Sequence, residues 1–164
     1  MKSRRNRVSV TIDRAGLSDI PEMLRILRQV GGVHAQGRPD KFKPGACKHS
    51  AESLAQLLSD PDQPVFCLRE GEKLLATAYL QLRRQEENSV LRRRLTVYVD
   101  DFCVDAAARG RHLGTRLMEH VIAYAKELGA DEVLLNVYEF NASAIAFYES
   151  LGMKTQSRHM ELLL

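Results

Sequence analysis

Residues 98–115 read YVDDFCVDAAARGRHLGT, which joins a strand-like run to the start of a helix through a short basic turn. The free N–H groups and the dipole at a helix N-terminus both favour a bound anion. Arg109 and Arg111 add positive charge, and Gly110 and Gly114 let the backbone approach a ligand closely. The turn therefore predicts a pyrophosphate cradle, although an ordinary strand-to-helix turn has a similar composition. Its spacing fits neither GxGxxG nor GxxxxGK[ST].

The segments on both sides of this turn predict a mixed α/β domain. Apolar periodicity predicts helices at 18–30, 51–59, 114–128 and 141–150, and strands at 8–12, 65–69, 73–84, 93–104, 132–138 and 153–164. Gly31 and Gly32 are expected to end the first helix, and a loop is expected from His34 to Lys48. This order predicts one domain over residues 1–164, a mostly antiparallel mixed sheet of six to seven strands with helices on both faces.

Composition limits the classes of protein that fit. The chain has 164 residues, 45% hydrophobic and 27% charged, as expected of a soluble globular domain. The net charge of +3 is too small to indicate nucleic acid, and no Trp is present for a base-stacking platform. The basic start of the chain lacks the apolar run of a secretory signal, and no stretch approaches the ~18 apolar residues of a membrane span.

Cysteine and histidine usage predicts a reduced protein without a metal. The three cysteines are an odd number without CxxC spacing, so we expect free thiols and a cytoplasmic location. The five histidines have no ligand spacing with Cys or Asp, so we expect no metal site; they are His34, His49, His112, His120 and His159.

Two motifs give this sequence a family resemblance. The turn resembles motif A of the GCN5-related N-acetyltransferase (GNAT) family, [Q/R]-x-x-G-x-[G/A], with Arg109 first and Gly114 last. His112 replaces the central glycine and is expected to need an ordinary φ there. The second segment resembles motif B, N-x-x-A-x-x-x-Y-x-x-x-G-[FM], and its four matching residues are Asn141, Ala144, Tyr148 and Gly152. Two motifs in this order are more specific than either alone.

The resemblance implies acetyl-CoA as the co-substrate and an amine as the acceptor. In the family, strand backbone pairs with the pantetheine amides and the loop N–H groups bind the pyrophosphate. By resemblance, the cofactor-binding residues are Phe102, Cys103, Val104, Arg109, Gly110, Arg111, His112, Leu113, Gly114, Thr115, Asn141 and Tyr148. Asn141 has a second use, because it also suits the N-cap of the helix that follows.

The chemistry needs a base and an acid. The amine must lose a proton before it attacks the thioester, and the leaving thiolate must gain one. Tyr148, which the resemblance puts beside the sulfur, is the candidate acid, with core packing as its alternative role. Asp100 and Asp101 are consecutive on a predicted strand, so we expect their side chains to face opposite sides of the sheet. Asp100 is the candidate base, and Asp101 replaces it if a β-bulge exchanges the sides that they face. Alternatively, one or both carboxylates pair with nearby arginines such as those at 92–94.

The reaction predicted is direct transfer of an acetyl group from acetyl-CoA to a primary amine of a small molecule or peptide. Two alternative hypotheses compete with this prediction. One is a non-catalytic acyl-CoA sensor, and the other is a nucleic-acid-binding module that uses the arginines at 83–84 and 92–94. We expect no nucleic-acid or membrane partner and leave a homodimer open. The acceptor is not named by the sequence, since the loops at 34–48 and 85–89 are expected to select it.

Overall fold

The computed structural model describes residues 9–164, so the basic start of the chain and Val8 of the first predicted strand lie outside the described residues. The strands are β1 (Val10–Arg14), β2 (Val65–Glu70), β3 (Lys73–Gln85), β4 (Arg94–Val104) and β5 (Glu132–Leu135). The helices are α1 (Ile20–Gly37), α2 (Ala51–Ser59), α3 (Leu113–Glu127) and α4 (Ala142–Ser150). The strands form one sheet in the order β1-β2-β3-β4-β5, antiparallel as far as β4 and parallel between β4 and β5.

Helices cover both faces of this sheet, as predicted. On one face, α1 and α2 bury Met23, Ile26 and Leu54 against strand residues that include Tyr79 and Cys103. On the other face, α3 buries its apolar stripe and α4 adds partly buried side chains. Within residues 9–164, none of the helices combines the length and apolar character that crossing a bilayer needs.

The predicted count of six to seven strands is wrong for the described residues, which form five. The residues from 153 to 164 were expected to make the last strand, but they have no strand hydrogen bonds. Their apolar side chains are exposed, as at Met160 and Leu162. Glu161 instead pairs with Arg38 and Lys41 beyond the end of α1. These ion pairs hold the segment beside α1 rather than in a sheet ladder.

Helix α1 is longer than predicted, and two of its three glycines serve packing rather than termination. It continues through Gly31 and Gly32 to Gly37. A Cβ at Gly31 would lie 2.5 Å from the carbonyl oxygen of Ala46, and a Cβ at Gly37 would overlap the ring of Phe140. The predicted loop therefore begins only after Gly37. By contrast, the Ser50-capped helix α2 has its predicted bounds, since the Ser50 hydroxyl accepts from the N–H of Ser53 at 3.2 Å.

A β-bulge interrupts β4 at its most polar point. Tyr79 of β3 pairs with Asp101 and Leu80 pairs with Val99, so Asp100 is the extra residue. Val99 joins the cluster beneath α3, whereas Cys103 joins the cluster beneath α1 and α2. The bulge thus breaks the strict alternation of side chains along the strand.

Strands β4 and β5 separate after a short parallel contact. Their pairing runs from Thr96 with Glu132 to Val99 with Leu135. Strand β4 then continues to Val104 alongside β3 alone, and β5 ends at Leu135 rather than at the predicted residue 138. The separation exposes one backbone edge of β4 and opens a cleft between the two strands.

Candidate active site

The cleft between the separating strands has a volume of about 510 Å³. Its walls come from α1, the loop at 38–50, the bulged part of β4, the segment after β5, and α4. The lining includes His34, Phe42, Lys48, Tyr98, Asp100, Asp101, Phe102, Tyr138, Asn141, Ala144 and Tyr148. Of the two loops expected to select the acceptor, that at 34–48 contributes to this lining and that at 85–89 does not.

The two aspartates of the bulge meet at one lysine. Nζ of Lys48 donates to Oδ2 of Asp100 at 2.6 Å and to Oδ2 of Asp101 at 2.9 Å. The expectation that the carboxylates face opposite sides of the sheet is therefore wrong, because the bulge turns both toward the cleft. The alternative pairing with arginines is also wrong: Arg93 bonds to Glu86 and Arg94 lies near Glu132.

Burial distinguishes the two carboxylates. The Asp101 side chain is 12% exposed and that of Asp100 is 20% exposed. Desolvation raises the pKa of Asp101, and the hydrogen bond from Lys48 opposes this rise. Burial also disfavours the charge on Lys48, but its bonds to Asp100 and Asp101 outweigh that effect and raise the pKa of Lys48.

His49 lies beside this ion pair, although its sequence context gave no sign of a role. Its ring stacks on Tyr79 with centroids 6.2 Å apart, and its buried Nε2 atom has no partner among the described residues. Burial is the main cause that lowers the pKa of His49, and the positive charge of Lys48 lowers it further. Both effects favour the neutral ring. Ligand atoms of His49, Asp100 and Asp101 lie within 4.8 Å of one another. The Lys48 ammonium already bonds to both carboxylates and offsets one of their two negative charges. The absence of a metal stays a prediction.

Tyr148 reaches the cleft from α4. Its ring lies 6.4 Å from that of Phe102 and 5.2 Å from that of Phe147, between centroids. Desolvation raises the pKa of Tyr148 to about 12, with further contributions from Cys103 and Asp101. The phenol is therefore protonated at neutral pH and can donate a proton.

Asn141 caps α4 with one end of its amide. Its Oδ1 atom accepts from the N–H of Ala144 at 3.3 Å and from the hydroxyl of Ser143 at 3.2 Å. The expected N-cap is thus present. The same side chain lines the cleft, where its Nδ2 group is a hydrogen-bond donor for a ligand.

The predicted phosphate turn contains two residues with a left-handed backbone. Gly110 has φ +75°, and His112 has φ +58° and ψ +19° in the left-handed region. The expectation of an ordinary φ at His112 is wrong, since this residue adopts the conformation that glycine adopts easily. The first N–H that bonds back into α3 belongs to Arg116, which donates to the carbonyl of His112. The preceding N–H groups at 113–115 have no partner within the helix.

Several side chains of the turn make contacts within the protein, and their predicted cofactor contacts stay a prediction. Arg111 pairs with Glu70 at 2.5 Å, so its charge is shared with that carboxylate, whereas Arg109 is exposed. Leu113 is buried in the core. A Cβ at Gly114 would lie 3.4 Å from both Val104 and Phe147, so this glycine serves the packing of α3. Phosphate contacts from this turn would therefore come mainly from backbone groups.

Cys103 is not among the residues that line the cleft. It is buried beneath α1 and α2, and desolvation raises the pKa of Cys103 well above its usual range. A protonated, buried thiol is not a nucleophile. Phe102 lines the cleft, and Val104 packs beside the helices.

Comparison with known proteins agrees with this geometry. The model of a family described as "Acetyltransferase (GNAT) family" matches residues 34–153. The chain belongs to the GNAT family. It is an acetyl-CoA-dependent N-acetyltransferase, so the alternative of a non-catalytic sensor is not supported.

The chain is similar to several known proteins over much of its length. A glucosamine 6-phosphate N-acetyltransferase from Arabidopsis thaliana is 29% identical over 108 residues, which are 64% of this chain and 68% of the relative. A mutant of the BH1408 protein from Bacillus halodurans is 33% identical with a TM-score of 0.90, covering 94% of this chain and 99% of that chain. An aminoglycoside acetyltransferase from an uncultured soil metagenomic sample, 20% identical with a TM-score of 0.69 over 94% of this chain and 96% of that chain, shares the fold.

Proposed function

We propose that this GNAT enzyme transfers the acetyl group of acetyl-CoA directly to a primary amine of a small molecule or peptide. The observation that carries the proposal is one cleft lined by Asp100 and Asp101 of the β4 bulge and by Tyr148. Direct attack needs a proton acceptor near the amine and a proton donor near the sulfur. We further propose that residues 1–164 act as one domain.

Acetyl-CoA is proposed to lie along the open edge of β4. The backbone of residues 102–104 would pair with the pantetheine amides, and the N–H groups at 110–115 would bind the pyrophosphate. The separation of β4 from β5 and the left-handed turn at His112 support this placement. Asn141 would add a hydrogen bond from its Nδ2 group while its Oδ1 atom caps α4.

Asp101 is the preferred base, ahead of Asp100. Its raised pKa makes it a stronger base than an exposed carboxylate, which suits removal of a proton from an ammonium through water. Asp100 would then hold the acceptor's positive charge with Asp101. Cys103 takes no part as a nucleophile because its thiol is buried and protonated, so no acyl-enzyme forms there.

The acceptor is proposed to enter as a cation. Asp100 and Asp101 together carry one more negative charge than Lys48 neutralises, which favours an ammonium group. One relative is a glucosamine 6-phosphate N-acetyltransferase, so amino sugars belong in any acceptor screen. Peptide amines and simple alkylamines complete that screen.

Replacement of Tyr148 tests the proton donor. Tyr148→Phe keeps the packing against Phe102 and removes the hydroxyl, so we expect kcat to fall by about 10²-fold or more with little change in the KM for acetyl-CoA. Tyr124→Phe is the matched control, because its hydroxyl accepts from Arg14 outside the cleft. Release of free thiol gives both constants. An unchanged kcat in Tyr148→Phe would remove the hydroxyl from the mechanism.

A further inference from the structure

Lys48 lies in the cleft where the proposed reaction would bind its acceptor amine. It lies on the loop between α1 and α2, and its half-exposed side chain extends into the cleft. Its ammonium group bonds to both Asp100 and Asp101, at 2.6 and 2.9 Å. A primary ammonium on an unbranched, flexible stem is thus already bound to the carboxylates that an external amine would use.

We propose that Lys48 is a self-acetylation site, so that the chain transfers one acetyl group from acetyl-CoA to its own Nζ atom. This inference rests on the proposed function, since it uses the same cleft, base and acid. Asp101 and Tyr148 line the same cleft, so the proposed base and the proposed acid lie at one site. Lys48 needs no binding step, which favours reaction within the molecule.

The transfer is balanced without a further reactant. The Lys48 ammonium loses a proton toward Asp101, and the neutral Nζ attacks the thioester carbonyl. A C–N bond forms and the C–S bond breaks. The second proton lost from nitrogen balances the proton that Tyr148 gives to the departing thiolate. The products are an Nζ-acetyl-lysine, CoA as the free thiol, and one proton released to solvent.

Acetylation would change the cleft as well as the lysine. An amide nitrogen carries no positive charge, so the ion pairs with Asp100 and Asp101 are lost. Both carboxylates then become available to the ammonium group of an external acceptor. Self-acetylation would in this way convert a cleft occupied by its own lysine into one open to an amine.

The test is incubation of the purified chain with labelled acetyl-CoA and no added amine, followed by mass mapping of the acetylated residue. We expect one acetyl group per chain, on Lys48, at a rate independent of chain concentration. Lys48→Arg keeps the cation and should abolish the label. Lys126→Arg alters an exposed lysine on α3 and should leave the label unchanged.

Three results would overturn the proposal. The first is a label spread over exposed lysines such as Lys126, which indicates chemical acetylation. The second is a hydroxylamine-labile label on Cys47, the thiol that shares the cleft wall. The third is a chain that binds acetyl-CoA and acetylates added amines but leaves Lys48 free, in which case the proposed function stands alone. Failure to bind acetyl-CoA at all would instead contradict the proposed function itself.

Discussion

At the scale of single residues, Asp101 is subject to two opposed influences. Burial raises its pKa above the ordinary value, and the ammonium of Lys48 lowers it. The base must be ionised to act, so kcat/KM should fall as the pH is lowered through this raised pKa. Lys48→Met removes the opposing cation and should therefore move the acidic limb of the pH profile to higher pH.

Asp101→Asn should remove the acidic limb of the pH profile and lower kcat by about 10²-fold or more, because an amide cannot accept the proton. Asp100→Asn is the matched comparison on the neighbouring residue, and it should weaken amine binding more than it lowers kcat. Steady-state kinetics from acid to neutral pH separate the two variants. If Asp100→Asn loses the limb and Asp101→Asn keeps it, the roles are reversed.

His112 provides a third prediction at this scale. A side chain in the left-handed region costs roughly 1–2 kcal/mol relative to glycine. We expect His112→Gly to raise the free energy of unfolding by up to about 1 kcal/mol, after the greater chain entropy of glycine is allowed for. Denaturant unfolding measures this, and His112→Val should have the opposite sign. A destabilised His112→Gly would show that the imidazole contributes more than its backbone conformation costs.

At the scale of elements, the glycines of α1 allow a comparison within one helix. Gly37→Ala places a methyl group against the ring of Phe140, so we expect about 1–3 kcal/mol of destabilisation from overpacking. A Cβ at Gly32 has no neighbour within 4 Å, and Gly32→Ala should stabilise the helix by about 1 kcal/mol. Thermal unfolding of both variants checks the sign. Equal effects at the two positions would argue against the packing role of Gly37.

The elements that sequence predicts well are those decided locally. Helix α2 has its predicted bounds because Ser50 bonds to a backbone group three residues away. The predicted end of α1 at Gly31 is wrong, because that glycine packs against Ala46, a residue outside the helix. The bulge at Asp100 depends on the register of β3 against β4, which alternation along one strand cannot determine.

At the scale of the whole molecule, the cleft combines segments that are far apart in the chain. The motifs predicted Asp100, Asp101 and Tyr148, because the spacing within β4 and α4 is visible in the sequence. They did not predict Lys48 or His49, which lie about 50 residues earlier and meet the carboxylates only after folding. The pairing of Lys48 with Asp100 and Asp101 depends on tertiary packing, so the sequence alone does not predict it.

Amine-dependent release of CoA thiol, measured with detection of the N-acetylated product, tests the central claim most directly. The assay uses saturating acetyl-CoA and a panel of amino sugars, alkylamines and peptides, with Asp101→Asn and Tyr148→Phe beside the unmodified chain. We expect at least one amine to give thiol and acetamide in equal amounts over many turnovers, and both variants to be strongly impaired. Acetyl-CoA binding without product on any amine, or full activity in both variants, would contradict the account.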